Sequence, residues 1–160
     1  MKIYKQLQLA CLVVATIGCS NKENTPAPDN ESPIVAQKLI GVWTMTAQTS
    51  SVAWDWDGNG STETDMYANY DACLKQKGFT ISVDKTGFVK QSCTLSNSME
   101  WLVTDYGKIF RFRINTGSGT FGAYADYGIQ EVTTTTLKLT SKTDVPGGPQ
   151  GVIITYTYIK

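Results

Sequence analysis

From Leu39 to the end of the chain, apolar and polar residues alternate in short runs cut by Gly, Asn, Asp and Ser. A period of two marks strands whose two faces meet different surroundings. Residues 38–47 open the series, with Val42, Thr44 and Thr46 on one face and Trp43, Met45 and Ala47 on the other. Gly41 has no Cβ and lets a large group or another backbone come close. Trp43, two residues on, is placed to fold over one end of a sheet. Residues 79–83 alternate, 84–87 read as a four-residue turn with Gly last, and 88–95 return as the hairpin partner. A break at Asn97 and Ser98 leads to a strand over 99–104. A turn follows at 105–107, then a strand over 108–114. That last strand carries Phe110, Phe112 and Ile114 on one face and Arg111 and Arg113 on the other. Residues 129–133, 137–141 and 152–159 complete the series, and 71–77 read as a helical turn.

About eight strands with short connections and no sustained helical period predict an all-β fold. An up-and-down antiparallel order that closes into a barrel removes the vulnerable sheet edges. An eight-stranded barrel has room for a packed interior or for one small ligand. Trp43, Trp101, Phe110, Phe112 and Tyr156 are the candidates for lining such a pocket.

The first residues do not belong to this pattern. Residues 1–5 carry Lys2 and Lys5, residues 7–17 are an apolar run, and Gly18-Cys19 closes it. The run is short for a bilayer span and has the parts of a secretory signal. A cysteine straight after the small residue resembles a bacterial lipoprotein signal, whose cysteine receives a diacylglyceryl group. At about 0.8 kcal/mol per buried CH₂, two acyl chains anchor a protein stably where one does not. Residues 1–18 are thus expected to leave, with Cys19 lipidated and 19–37 forming a flexible linker. Pro26, Pro28 and Pro33 stiffen that linker. Residues 38–160 are the barrel domain. An outer-membrane anchor facing the periplasm or the cell surface is the expected location.

Removing residues 1–18 takes away Lys2 and Lys5, so 14 basic residues become 12 against 14 acidic ones, a net of −2. That balance gives no electrostatic footprint for nucleic acid. The chain has no histidine, which removes His-based triads, His metal ligands and imidazole bases. With Cys11 in the signal and Cys19 lipidated, Cys73 and Cys93 remain. An even pair in an exported chain reads as one disulfide, and two buried free thiols are the alternative.

Residues 55–65 are the one chemically suggestive run. Asp55, Asp57, Asn59, Ser61, Glu63 and Asp65 fall on alternate residues, with Gly60 at the sixth place, as in the first half of an EF-hand loop. Met66 occupies the place of the closing bidentate carboxylate. A Ca²⁺ site is one reading and an Asx/Gly-rich surface turn the other. Trp54 and Trp56 flank the run. Exposed, they would stack on a sugar ring or apolar ligand; buried, they would close the barrel end.

Leu39-x-Gly41-x-Trp43 opening an exported all-β domain resembles the lipocalin-like domains of Bacteroidota lipoproteins. The Asp/Gly-rich run at 55–65, Cys73, the turn at 84–87, Leu137-x-Leu139-Thr140 and Tyr156-x-Tyr158 follow in the order seen there. The resemblance covers about residues 37–160. It implies a barrel and a binding role. Lipocalins proper stack a late Arg on the first-strand Trp, whereas here the chain ends in Lys160. The expected function is non-enzymatic binding of a small hydrophobic molecule, a glycan or an envelope protein at the membrane. Two alternatives stand beside it: an interaction or inhibitor module with a filled barrel, and a hydrolase using carboxylates such as Glu100 and Asp105.

Overall fold

The computed structural model describes residues 31–117, 119–145 and 148–160. The expected signal over 1–18, the lipidation site at Cys19 and the linker as far as residue 30 lie outside the described residues. A short helix, α1 (Pro33–Leu39), leads into β1 (Gly41–Trp54) and β2 (Glu63–Asp65). β3 (Gly78–Ile81), β4 (Thr86–Lys90), β5 (Ser96–Thr104) and β6 (Ile109–Ile114) follow. β7 (Ala125–Val132), β8 (Thr136–Thr143) and β9 (Val152–Ile159) end the chain. From β3 to β9 each strand pairs antiparallel with the next, and β9 returns to pair with β1 between Thr44 and Ser50. β1, β3 and the strands that follow therefore close an eight-stranded up-and-down barrel, as the strand spacing predicts. β2 is an addition, paired beside the second half of β1 at Thr49↔Asp65 and Trp54↔Glu63.

Alternation puts Trp43, Met45, Phe79, Ile81, Met99, Trp101, Val103, Phe110, Leu137, Leu139 and Tyr158 inside. One interruption matters. Met45 pairs with Tyr158 and Ala47 with Thr157, so Thr46 is an extra residue in β1. A bulge of this kind bends the strand and reverses which side chains face inward. Ala47 is therefore not on the Trp43–Met45 face, as strict alternation predicts. Gln48 and Ser50 take the inward places instead and are buried at 8% and 7% exposure.

α1 closes one end. Pro33 sits at its start, where its missing N–H costs nothing, and Ala36 and Leu39, three apart on one face, are buried in the core. The last part of the expected linker, residues 33–37, is therefore helix packed on the barrel. Trp43 Nε1 donates to Leu39 O at 2.6 Å. Trp101 Nε1 donates to Ser82 O at 3.2 Å and Thr86 O at 3.0 Å. Lys160 Nζ lies 4.6 Å from the centre of the Trp43 ring and donates to Lys38 O at 3.0 Å. It lays a cation against the indole ring. Gly41 makes this possible: at φ +139, a Cβ there would sit 2.7 Å from Lys160 Cε. Burying large side chains of this type contributes about 1.5–3 kcal/mol each.

The β4–β5 hairpin differs from the sequence reading. The turn comes at residues 91–95, because Ser92 Oγ accepts from the Thr94 and Leu95 N–H groups and Gln91 N donates to Leu95 O. Cys93 thus lies in a turn and not in a strand. Asn97 and Ser98, read as a break, belong to β5 opposite Val89 and Phe88. The outward face of β6 is as predicted. Arg111 pairs with Asp126 at 2.6 and 2.7 Å and Arg113 with Glu100 at 2.8 and 2.6 Å, each directly across a strand pair.

Candidate functional site

The second end of the barrel is covered by residues 66–77, and the covering segment is tied down at four points. Met66 and Tyr67 N–H donate to Gln48 O at 3.0 and 3.2 Å, and Met45 N–H donates to Lys77 O at 2.9 Å. Asp71 Oδ1 accepts from Cys73 and Leu74 N–H at 2.8 and 2.7 Å, which starts the short 3-10 turn at Leu74–Gln76. Cys73 and Cys93 form a disulfide with Cα atoms 4.7 Å apart. It staples the cap to the β4–β5 turn. Closing a loop of 20 residues is worth roughly 3 kcal/mol in the chain-entropy account.

Beneath the cap is an open-sided cavity of about 520 Å³. Met45, Phe79, Phe112 and Tyr158 form its inner wall, Tyr127 and Tyr156 its flank, and Tyr70 and Leu74 its roof. The rings hold one another in place. Phe112 and Tyr127 stack at 5.4 Å and 14°, Tyr127 meets Tyr156 edge-on at 5.5 Å, and Phe79 lies 5.1 Å from Tyr158. Gln91, Ser92 and Leu95 of the stapled turn, with Lys77 and Lys90, make the rim. Among the described residues, no Asp or Glu lines the cavity.

Its polar atoms fall into two groups. Tyr70 OH donates to Gln48 Oε1 at 2.8 Å, Gln48 Nε2 reaches Met66 Sδ at 3.6 Å, and Tyr156 OH meets Ser141 Oγ at 3.2 Å. The hydroxyls of Tyr127 and Tyr158 have no hydrogen-bond partner among the described residues. The Tyr158 side chain is 5% exposed and lines the cavity, so its hydroxyl tip borders the open space there. Burial pushes the Tyr127 hydroxyl up to about 12, with Tyr156 adding to the shift. Burial first, then the neighbouring tyrosines, raises Tyr158 well above its ordinary value. Tyr156 and Tyr70 are raised by burial as well. All four are neutral hydroxyls near neutrality, able to donate and accept but not to act as phenolate bases. Desolvation lowers the pKa of Lys77. Its Nζ lies 4.3 Å from the Tyr70 ring centre and has no carboxylate partner among the described residues.

Of the pocket residues expected from sequence, Phe112 and Tyr156 line this cavity, while Trp43, Trp101 and Phe110 fill the α1 end. Tyr70, Tyr127, Tyr158, Gln48 and Lys77 were not anticipated. Tyr158 was legible as the neighbour two along from Tyr156 on one strand face. Gln48 was hidden by the bulge. Trp54 and Trp56 are half-buried at the cap end. Trp54 packs against the cluster of Met66, Val152 and Ile154, and Trp56 stands edge-on to Tyr70 at 5.4 Å. The indole nitrogens of both are buried without a partner among the described residues.

The Asp-rich run forms an exposed turn held by its own carboxylates. Asp55 accepts from the Asn59 and Gly60 N–H groups at 3.0 and 2.9 Å, and Asp57 accepts from Asn59 N–H at 3.1 Å. Asn59 accepts from Ser61 N–H at 2.7 Å. Glu63 takes Asn69 Nδ2 at 2.8 Å, and Asp65 takes Ala68 N–H at 3.1 Å. Among the described residues no three His, Cys, Asp or Glu side chains converge as a metal-binding group. No protein family, curated protein or solved structure matches the chain.

Proposed function

We propose that this chain is a lipid-anchored envelope protein whose lipocalin-like barrel holds a small, largely apolar molecule beneath the cap. The observation that carries the reading is the cavity at that end, walled by aromatic rings and bordered by the Tyr127 and Tyr158 hydroxyls, which have no partner among the described residues. Concave, mainly apolar sites with a few convergent polar groups are the usual form of small-molecule pockets. The capacity is of the right order, since such pockets run from about 300 to 1,000 Å³. A binding role fits better than hydrolysis. Among the described residues the cavity lining carries no carboxylate pair, and Glu100 is engaged by Arg113 on the outer face. The tether implied by Cys19 would hold the barrel close to a membrane, where apolar molecules are concentrated.

Native mass spectrometry of the protein purified from its host tests the reading. A noncovalent adduct that is lost after unfolding and refolding is expected. A bare mass, together with no binding of the neutral dye N-phenyl-1-naphthylamine, would overturn it. Cys19→Ser tests the anchor separately by moving the protein out of the membrane fraction.

A further inference from the structure

We propose that the molecule held under the cap is a flat, ring-bearing monoanion whose charged group is met by Lys77 at the rim. The inference rests on the binding role proposed above and names the chemical class of the ligand.

Charge at the cavity is one-sided. Lys77 and Lys90 line it, and among the described residues no acidic one does. Lys90 Nζ already donates to Gln76 Oε1 at 2.9 Å. Lys77 Nζ donates to nothing among the described residues and is held by the Tyr70 ring, itself part of the cap. A half-buried ammonium without a counter-ion is unfavourable until an anion meets it, and a charge-assisted hydrogen bond in such a place is stronger than a neutral one. The same two lysines disfavour a cationic ligand.

The wall selects the body of the ligand. Phe79, Phe112, Tyr127 and Tyr158 present ring faces and edges, which favour another flat ring over a flexible chain. A sugar fits poorly, because each of its hydroxyls needs a partner. Gln48 is occupied on both sides by Tyr70 and Met66, and Tyr156 by Ser141. The hydroxyls of Tyr127 and Tyr158 remain to take one or two polar atoms at the inner end of a ring.

Two dyes with one scaffold test this: N-phenyl-1-naphthylamine, which is neutral, and 8-anilinonaphthalene-1-sulfonate, which adds a single sulfonate. Fluorescence titration of the purified protein is expected to show the sulfonate binding about tenfold more tightly than the neutral dye. Lys77→Gln is expected to weaken the sulfonate dye about tenfold more than it weakens the neutral dye, which removes the preference. Lys77→Arg keeps it, and so does Lys75→Gln, whose Nζ lies over Tyr67 away from the cavity wall. Equal affinities in the unaltered protein, or a preference that survives Lys77→Gln, would overturn the proposal while leaving the binding role intact. Failure of both dyes to bind would overturn both.

Discussion

At the α1 end of the barrel the indole nitrogens of Trp43 and Trp101 both donate to backbone carbonyls. At the cap end the indole nitrogens of Trp54 and Trp56, and the hydroxyls of Tyr127 and Tyr158, have no partner among the described residues. The same eight strands run through both ends. The difference lies in what each alternation places inside. Near α1 it supplies Trp43, Trp101, Phe110 and Leu137, all buried in one cluster with Leu39 of α1. Near the cap it supplies tyrosines, which bring apolar rings with polar tips, and the rings border open space. One end is spent on stability and the other is left incomplete in the way a binding site is incomplete.

The largest way to break that contrast is to truncate a ring at each end. Phe110→Ala removes a fully buried ring and is expected to cost about 3–5 kcal/mol in urea unfolding. Tyr127→Ala, on the cavity flank, is expected to cost clearly less, because part of its ring already faces unfilled space. Equal costs would mean that the two ends are packed alike.

Removing the staple comes next. Cys73→Ser with Cys93→Ser should lose roughly 3 kcal/mol. Amide exchange should rise across residues 66–77 and stay slow in β5 and β6. Uniform acceleration through the barrel would show that the disulfide holds the whole fold and not the cap.

Alkali separates the ends by chemistry. Tyr70, Tyr127, Tyr156 and Tyr158 all have folded-state values above the unfolded one. Their contribution is therefore fully present below the unfolded pKa near 10 and is lost as pH rises through the folded values, about 12 for Tyr127. A shift of that size corresponds to roughly 3 kcal/mol for Tyr127, at 1.36 kcal/mol per unit. Phenolate absorbance should rise in two waves, exposed tyrosines first and the cap-end tyrosines together with unfolding. A single wave near pH 10 would place these hydroxyls in water.

The smallest effect is expected from Tyr158→Phe. A hydroxyl that borders open space and bonds nothing among the described residues adds little, so stability should stay within about 0.5 kcal/mol or rise slightly. A loss above about 1 kcal/mol would reveal a partner.

Strand alternation made the barrel readable, and the reasons for the remaining misses are physical. Trp43 and Met45 obey the period of two, but the extra residue at Thr46 reverses the phase, and nothing in Thr-Ala-Gln announces it. Cys73 and Cys93 were readable as a pair from the expected compartment, while the turn that displays Cys93 depends on Ser92 capping. Residues 33–37 looked like linker because a short helix is decided by packing of Ala36 and Leu39 and not by propensity. The cavity was only half visible. Phe112 and Tyr156 could be chosen as inward-facing aromatics, and Tyr158 follows two along from Tyr156, but Tyr70 and Tyr127 come from two other segments that only barrel closure brings beside them.

Methyl NMR on methionine-labelled protein tests the account most directly. Met45 lines the cavity, whereas Met99 is buried in the barrel away from the cavity wall. On titration with N-phenyl-1-naphthylamine, the Met45 methyl signal should shift and saturate while the Met99 signal stays in place. Movement of Met99 without Met45, or no movement of either, would contradict a binding site beneath the cap.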